Sequence, residues 1–383
     1  MGVTEFSIVS TIIWSSIIIV AMSLLRTKYR FVNICGASGM VLLYLFCGIR
    51  MLVPIDFPWT VCFNSPVIYN KLHECLNIEI IINNFHFYIK DLLTWAWAVG
   101  IIIGFIELLI EYDSFDRKIK KLNKSLDIKL TEAIKLLQEK QGGKNYNKIR
   151  VYRSGDVNSP FGCGIIDKKI FIPNRDYSEL NINNILLHEY MHHKNGDIKI
   201  KLLVNVLCVL YWWNPLVYML KYNMESYFEM RCDLEVVNNM DNSAIADYLQ
   251  TIVSEVSYAA QLEKNSAIVG MLGKKSEVGL KERFRAIELA TEQQPVKVWR
   301  NITLILTIFV FAISYSFILL PGYPPKVDDY GDGVKSYEVS PDNAYIVHEG
   351  KEYYLWTDFG DKTSLDKDNA EMLLKNGFEL REE

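Results

Sequence analysis

Asn184-Ile185-Leu186-Leu187-His188-Glu189-Tyr190-Met191-His192-His193-Lys194-Asn195-Gly196-Asp197 contains the pattern His-Glu-x-x-His. On a helix, His188 and His192 stand at i and i+4, so both imidazoles leave the same face one turn apart. Two neutral imidazoles at that spacing suit Zn²⁺, and Glu189, one step round the helix, is placed to act as a general base toward a water. Ile185, Leu186 and Leu187 lead in as an apolar run, as expected of a helix at the heart of a domain. The chain has six histidines, and three of them fall between positions 188 and 193.

A catalytic zinc of this kind takes three protein ligands. Downstream lies Met224-Glu225-Ser226-Tyr227-Phe228-Glu229-Met230-Arg231-Cys232-Asp233, in which Glu229 and Asp233 are again i and i+4. Glu229 would complete a His₂Glu set, with Glu225 as the rival ligand. Asp233 is suited to accept the outward N–H of a ligand imidazole. Cys232 is a zinc ligand by type, but it points elsewhere if Glu229 faces the metal.

Half of the 383 residues are hydrophobic, and the excess is concentrated. Phe6–Leu25, Phe31–Ile49, Leu92–Ile110 and Ile302–Leu320 each read as a membrane crossing. Gly36, Gly39 and Gly48 in the second permit close helix contact, and Pro321 stops the fourth. The first run is read as an anchor rather than a removed signal peptide. Arg26, Lys28 and Arg30 fill the first link; Arg117, Lys118, Lys120, Lys121 and Lys124 follow the third run; Lys297 and Arg300 precede the fourth. The positive-inside rule makes these sides cytoplasmic and both termini extracellular. Net charge is −4, which gives no footprint for direct nucleic-acid binding; the juxtamembrane lysines read as contacts to membrane lipids.

Leu202–Leu220 is apolar enough to suggest a fifth crossing, but that would leave His188 and Glu229 on opposite faces of the bilayer. A hairpin lying in or on the membrane, broken at Asn214-Pro215, keeps them together. Ile128–Gln141 predicts an amphipathic helix halted by Gly142-Gly143, Lys148–Arg153 a strand, Gly164–Pro173 a hairpin arm, and Ala244–Glu263 and Gly279–Thr291 helices. The link carrying Gly270, Gly273, Lys274 and Lys275 is a candidate flexible segment. In the outer loop, Cys62 and Cys75 stand either as a small disulfide or as two thiols, and Ile78–Ile89 as strands or as an interfacial segment with His86 a side chain rather than a ligand.

Taken together, His-Glu-x-x-His, Gly196-Asp197, Trp213-Asn214-Pro215, Glu229-x-x-x-Asp233, Ser159-Pro160-Phe161 through Gly164, and Lys169-Ile170-Phe171-Ile172-Pro173 resemble the BlaR/MecR antirepressor family of membrane-integrated zinc metalloproteases. The resemblance covers about residues 1–320. It implies that His188, His192 and Glu229 bind zinc, that Glu189 is the catalytic base, and that Asp233 supports a ligand. It implies a bacterial cell-membrane zinc metallopeptidase, with its active site in the cytoplasm, that answers a cell-envelope signal by cleaving a cytoplasmic transcriptional repressor, itself, or both. The alternatives are a membrane-protein quality-control protease of HtpX type, or a non-catalytic sensor or scaffold. A homodimer is allowed for. Zinc proteases in general hold substrate along an exposed strand; the stretch Gly164, Ile165, Ile170 and Phe171 is assigned that role, against the alternative of a strand that only completes the sheet.

The expected fold is a mostly α membrane protein, four transmembrane helices with an inserted cytoplasmic α+β, gluzincin-like metalloprotease domain. Its divisions are 1–112 (three spans with the external loop 54–90), 113–299 (the zinc domain), 300–321 (the fourth span) and 322–383 (a short outer tail). The best-known relatives carry a large penicillin-binding sensor domain there. Here Ser364-Leu365-Asp366-Lys367 matches its Ser-x-x-Lys nucleophile motif only by coincidence, and Tyr345–Trp356 predicts a hairpin. No covalent β-lactam binding is expected.

Overall fold

The computed structural model describes residues 5–26, 29–55, 57, 60–64, 71, 75–82, 85–140, 149–238, 240–263, 277–292 and 297–320. In the tail it describes 329–330, 334–335, 339–341, 343–349, 352–358, 360, 362–375 and 377–382. The predicted stop at Gly142-Gly143, the turn residue Gly350, the Cys62 side chain and the link with Gly270, Gly273, Lys274 and Lys275 lie outside the described residues. Two compact units result: Met1–Phe63 with Cys75–Leu320, and Asn64–Glu74 with Pro321–Glu383.

In the first unit the helices are α1 (Glu5–Arg26), α2 (Tyr29–Leu52), α3 (Ile89–Lys121), α4 (Ile128–Lys140), α5 (Glu179–Asn195), α6 (Asp197–Leu210), α7 (Pro215–Val237), α8 (Asn242–Glu263), α9 (Glu277–Glu292) and α10 (Lys297–Ser316). Three of them are long and apolar enough to cross a membrane: Ser7–Arg26, Cys35–Leu52 and Ile89–Lys121. The fourth apolar run departs from expectation. Its helix ends at Ser316, and Phe317–Leu320 is instead strand β8, paired with β1 (Val61–Asn64). The last carbonyls are taken by partners distant in the chain: those of Ser314 and Tyr315, which would continue the helix, accept from Arg50 at 3.3 Å and from the Thr60 hydroxyl at 3.0 Å. Of the three glycines in the second span, Gly48 makes the close approach, to Leu207 of α6, whereas Gly36 kinks α2 with φ 71°.

The connection between α2 and α3 carries a hairpin of β2 (Glu79–Ile82) and β3 (Phe85–Tyr88), with His86 against Glu79 across the strands at 2.6 Å. Cys75 is a free thiol. A four-stranded sheet follows: β4 (Lys124–Leu126), β5 (Arg150–Ser154), β6 (Phe161–Cys163) and β7 (Lys169–Pro173), in the order β4-β5-β7-β6. β7 runs parallel to β5 and antiparallel to β6. The predicted hairpin of 202–220 forms as α6 and α7. It breaks where expected, because Asn214 caps α7 by accepting from Leu216 N–H at 3.0 Å and Pro215 takes the first helical position, where a missing N–H costs nothing.

Two cores meet along α7. Ile19, Met40, Tyr44, Leu207, Leu220 and Tyr227 bind α7 to α1, α2 and α6. Val151, Ile170, Leu186, Cys232, Tyr248 and Ile287 bind its later turns to the sheet and to α5, α8 and α9. α7 therefore packs with the apolar bundle at one end and with α5 and the sheet at the other.

The second unit holds a sheet of β11 (Ala344–Glu349), β12 (Glu352–Thr357), β13 (Lys362–Leu365) and β14 (Leu380–Glu382), with α11 (Lys367–Lys375), besides the short pair β9 (Asp329–Tyr330) and β10 (Val334–Lys335). The predicted hairpin is β11 and β12, with Tyr345 opposite Trp356. Ser364 lies in β13 opposite Tyr354, and Lys367 opens α11.

Candidate metal centre

α5 is capped at both ends by its own sequence. Ser178 accepts from Asn181 N–H, and Gly196 closes the helix in the left-handed region at φ 72°, donating its N–H to the His192 carbonyl. A side chain at that φ would be strained, so glycine is the residue that permits the turn. The chain re-enters a helix at once, and Asp197, in the first turn of α6, is folded back against α5. Its Oδ2 lies 2.6 Å from His192 Nδ1, and Arg231 of α7 pairs with its other oxygen.

His188 and His192 project together, as their spacing predicts, with their Nε2 atoms 3.2 Å apart. Glu229 of α7 meets them: Oε2 is 3.6 Å from His188 Nε2, and Oε1 is 3.5 Å from His192 Nε2. Two nitrogens held tetrahedrally at about 2.0–2.1 Å from one ion are separated by about 3.3 Å, so the donor set has the spacing of a zinc site. These three residues form a group able to hold a metal ion. Glu225, the rival by sequence, is exposed and stands apart.

Each imidazole is held by its outer nitrogen. His188 Nδ1 lies 2.9 Å from the Tyr248 hydroxyl and 3.2 Å from Asp233 Oδ1, and Tyr248 also donates to Asp233 at 2.7 Å. Arg283 of α9 grips Asp233 with two N–H groups at 2.6 and 2.7 Å and reaches Glu229 Oε2 at 3.1 Å. Burial opposes a charge on His188, but hydrogen bonds to Asp233 and Glu229 outweigh it and raise its pKa to about 9. Carboxylates that favour a proton there also favour a cation. Burial opposes ionisation of Asp233 too, yet Arg283 and then His188 hold it well below the usual carboxylate range. Cys232, by contrast, is pushed up chiefly by burial and then by Asp197. A second His192, Asp197 and Cys232 group surrounds the outer nitrogen of His192, which Asp197 already occupies. Cys232 is thus part of the packing behind His192.

Glu189 is buried and faces β6: a Cβ placed on Gly162 would lie 3.5 Å from its Oε2 and 2.8 Å from His193 Nε2. Burial lowers the pKa of His193, and its Nε2 sits 3.2 Å from the Lys169 carbonyl, beside the sheet. The strand assigned to substrate is placed differently from expectation. β7 is paired on both sides, and Ile170 and Phe171 are fully buried, so their backbone offers no free edge. Gly164 and Ile165 lie in the turn between β6 and β7. The sheet edge beside α5 is β6, Phe161–Cys163.

The family described as BlaR1 peptidase M56 matches residues 7–287. The chain belongs to that family. A regulatory protein BlaR1 of Bacillus licheniformis is 28% identical over 167 residues, 42% of this chain and 27% of the relative. A methicillin resistance MecR1 protein of Staphylococcus aureus is 29% identical over 164 residues, with the same coverages. A regulatory protein BlaR1 of Staphylococcus aureus is 24% identical over 298 residues, 72% of this chain and 50% of the relative. The chain thus spans between about a quarter and a half of the length of these relatives. With three helices of membrane-spanning length and this kinship, it is a membrane-associated M56 protein.

Asp197, Tyr248, Arg231 and Arg283 were not assigned roles from the sequence. Asp197 had a signal, since it sits inside the motif block. Tyr248 and Arg283 had none, because each arrives from a separate helix.

Proposed function

We propose that the protein is a membrane-embedded zinc endopeptidase of gluzincin type. His188, His192 and Glu229 hold the ion, Glu189 serves as the base, and Asp233, Asp197 and Tyr248 fix the ligands. The observation that carries this is the 3.2 Å separation of two imidazole nitrogens whose outer nitrogens are both pinned, with Glu229 at 3.5–3.6 Å completing the set.

Zn²⁺ bound there would polarise a water and the substrate carbonyl and stabilise developing negative charge. Glu189 accepts the water's proton as oxygen bonds to the carbonyl carbon. It returns the proton to the amide nitrogen as the C–N bond breaks, leaving a carboxylic acid and an amine, and the acid proton then passes to the amine to give a carboxylate and an ammonium. The edge of β6 lies alongside Glu189 and suits an extended substrate.

The lysine and arginine clusters around the apolar helices favour a cytoplasmic centre with four crossings, the α6–α7 hairpin keeping the site at the inner bilayer surface. Kinship to regulatory proteins favours a signalling role, with a cytoplasmic repressor, the chain itself, or both as substrate. The test is proteolysis by full-length protein in lipid nanodiscs. Glu189→Ala is expected to abolish cleavage while zinc stays near one per chain, and undiminished cleavage would remove the mechanism.

A further inference from the structure

Asn223, Ser226, Glu229 and Asp233 stand at spacings of three and four along α7, so their side chains form one stripe. One half of the stripe is the metal centre. The other half meets the C-terminal end of α1, where Arg26 donates to Asn223, to Ser226 at 3.1 Å and to Glu282 of α9. Asn223 also donates to Ser23 of α1 at 2.7 Å and to the Tyr44 hydroxyl of α2 at 3.0 Å, so both membrane helices are tied to α7 at this level. The neighbour of Glu282 is Arg283, the residue that grips Asp233 and Glu229. These charges see little water: the side chains of Arg26, Glu282, Arg283 and Asp233 are 11%, 17%, 7% and 0% exposed.

We propose that Arg283 is a positioning residue of the metal centre, and that the Arg26–Glu282 pair one peptide bond away straps it to the first membrane helix. The aim of Glu229 and His188 then depends on where α1 sits. The inference rests on the metal-centre reading above and adds how that centre is held. Without Arg283, Asp233 becomes a buried carboxylate lacking its two-pronged partner, Glu229 loses its lateral tether, and the His188 ring loses a fixed support. The guanidinium also repels a dication. The two effects have opposite signs: charge alone predicts tighter binding once Arg283 is removed, and positioning predicts weaker binding. Glu282 and Arg283 are successive residues of one helix, so a displacement of Arg26 that carries Glu282 carries Arg283 as well.

The experiment measures Zn²⁺ affinity of the full chain in nanodiscs by competition with a chromophoric chelator, alongside the visible spectrum of the Co²⁺ form. Arg283→Met is expected to weaken zinc binding by about 10–100-fold and to alter the Co²⁺ bands, which report ligand geometry. Arg283→Lys recovers only part, since an ammonium cannot span the carboxylate of Asp233 with two parallel bonds. Arg26→Gln weakens binding by about threefold or more, and Arg26→Lys restores it. The double variant Arg26→Gln/Arg283→Met binds no worse than Arg283→Met alone, because both act through one arrangement.

Unchanged affinity and spectrum in Arg283→Met and Arg26→Gln, beside a wild type that binds one ion, would overturn the strap and leave the metal centre standing. Tighter binding by Arg283→Met, or strictly additive losses in the double variant, would overturn it as well. A wild type that takes up no ion, or a His188→Ala variant that binds as tightly as wild type, defeats the metal-centre reading and the strap with it.

Discussion

Replacing Gly162 by alanine tests whether β6 is pressed against the metal helix. The added Cβ would lie 2.8 Å from His193 Nε2, 3.2 Å from His193 Cδ2 and 3.5 Å from Glu189 Oε2. Uncrowded heavy-atom contacts begin at about 3.5 Å, so the imidazole must retreat by roughly 0.7 Å. It has little room, being 4% exposed with Nε2 held 3.2 Å from the Lys169 carbonyl. Weakening that hydrogen bond costs about 1 kcal/mol and overpacking about 1–3 kcal/mol, for a total of roughly 2–4 kcal/mol. The 3.5 Å contact to Glu189 is ordinary, so that carboxylate moves only with the helix it shares with His193. A misplacement of about 1 Å costs about 100-fold in rate, so a shift of half that is expected to lower kcat about tenfold. Thermal melting and peptide-cleavage kinetics read the two effects, with zinc content staying near one. A melting temperature within a degree of wild type together with kcat within twofold would refute this account of the β6–α5 contact.

Asp127, which precedes α4, accepts from Leu130 N–H at 3.0 Å and from Arg153 at 2.8 Å. Burial opposes its ionisation, but these bonds outweigh it and lower its pKa. Its stabilisation is therefore present above the unfolded value of about 4 and is lost as pH falls through the lower folded value. Asp127→Ala is expected to cost about 1–2 kcal/mol at pH 7, with the gap to wild type closing in melts at progressively lower pH. Gly48→Val forces a side chain onto Leu207, whose Cδ1 would lie 2.8 Å from the new Cβ, and should cost about 1–3 kcal/mol in a thermal melt. Chelation of the metal should lower the melting temperature of wild type and leave His188→Ala unmoved, because only a chain that binds the ion loses stability when it goes.

The periodic features were legible in the chain order. Helical spacing put His188 and His192 on one face, Asn214-Pro215 broke the apolar hairpin, and alternation with a turn gave the Tyr345–Trp356 hairpin. Each is decided within a few residues by backbone geometry, which sequence spells out directly. The end of α10 was not legible: hydropathy ran on to Leu320, but the helix stops where Arg50 and Thr60, more than 250 positions earlier, take its last carbonyls.

The choice of Glu229 over Glu225, the burial of Ile170 and Phe171 inside the sheet, and the convergence of Tyr248, Arg283 and Asp233 on His188 were likewise tertiary decisions. Donor types and their spacing follow from a local period. Which carboxylate meets them, and what holds it there, depends on helices far apart in the chain packing against one another, and no window of sequence contains that contact.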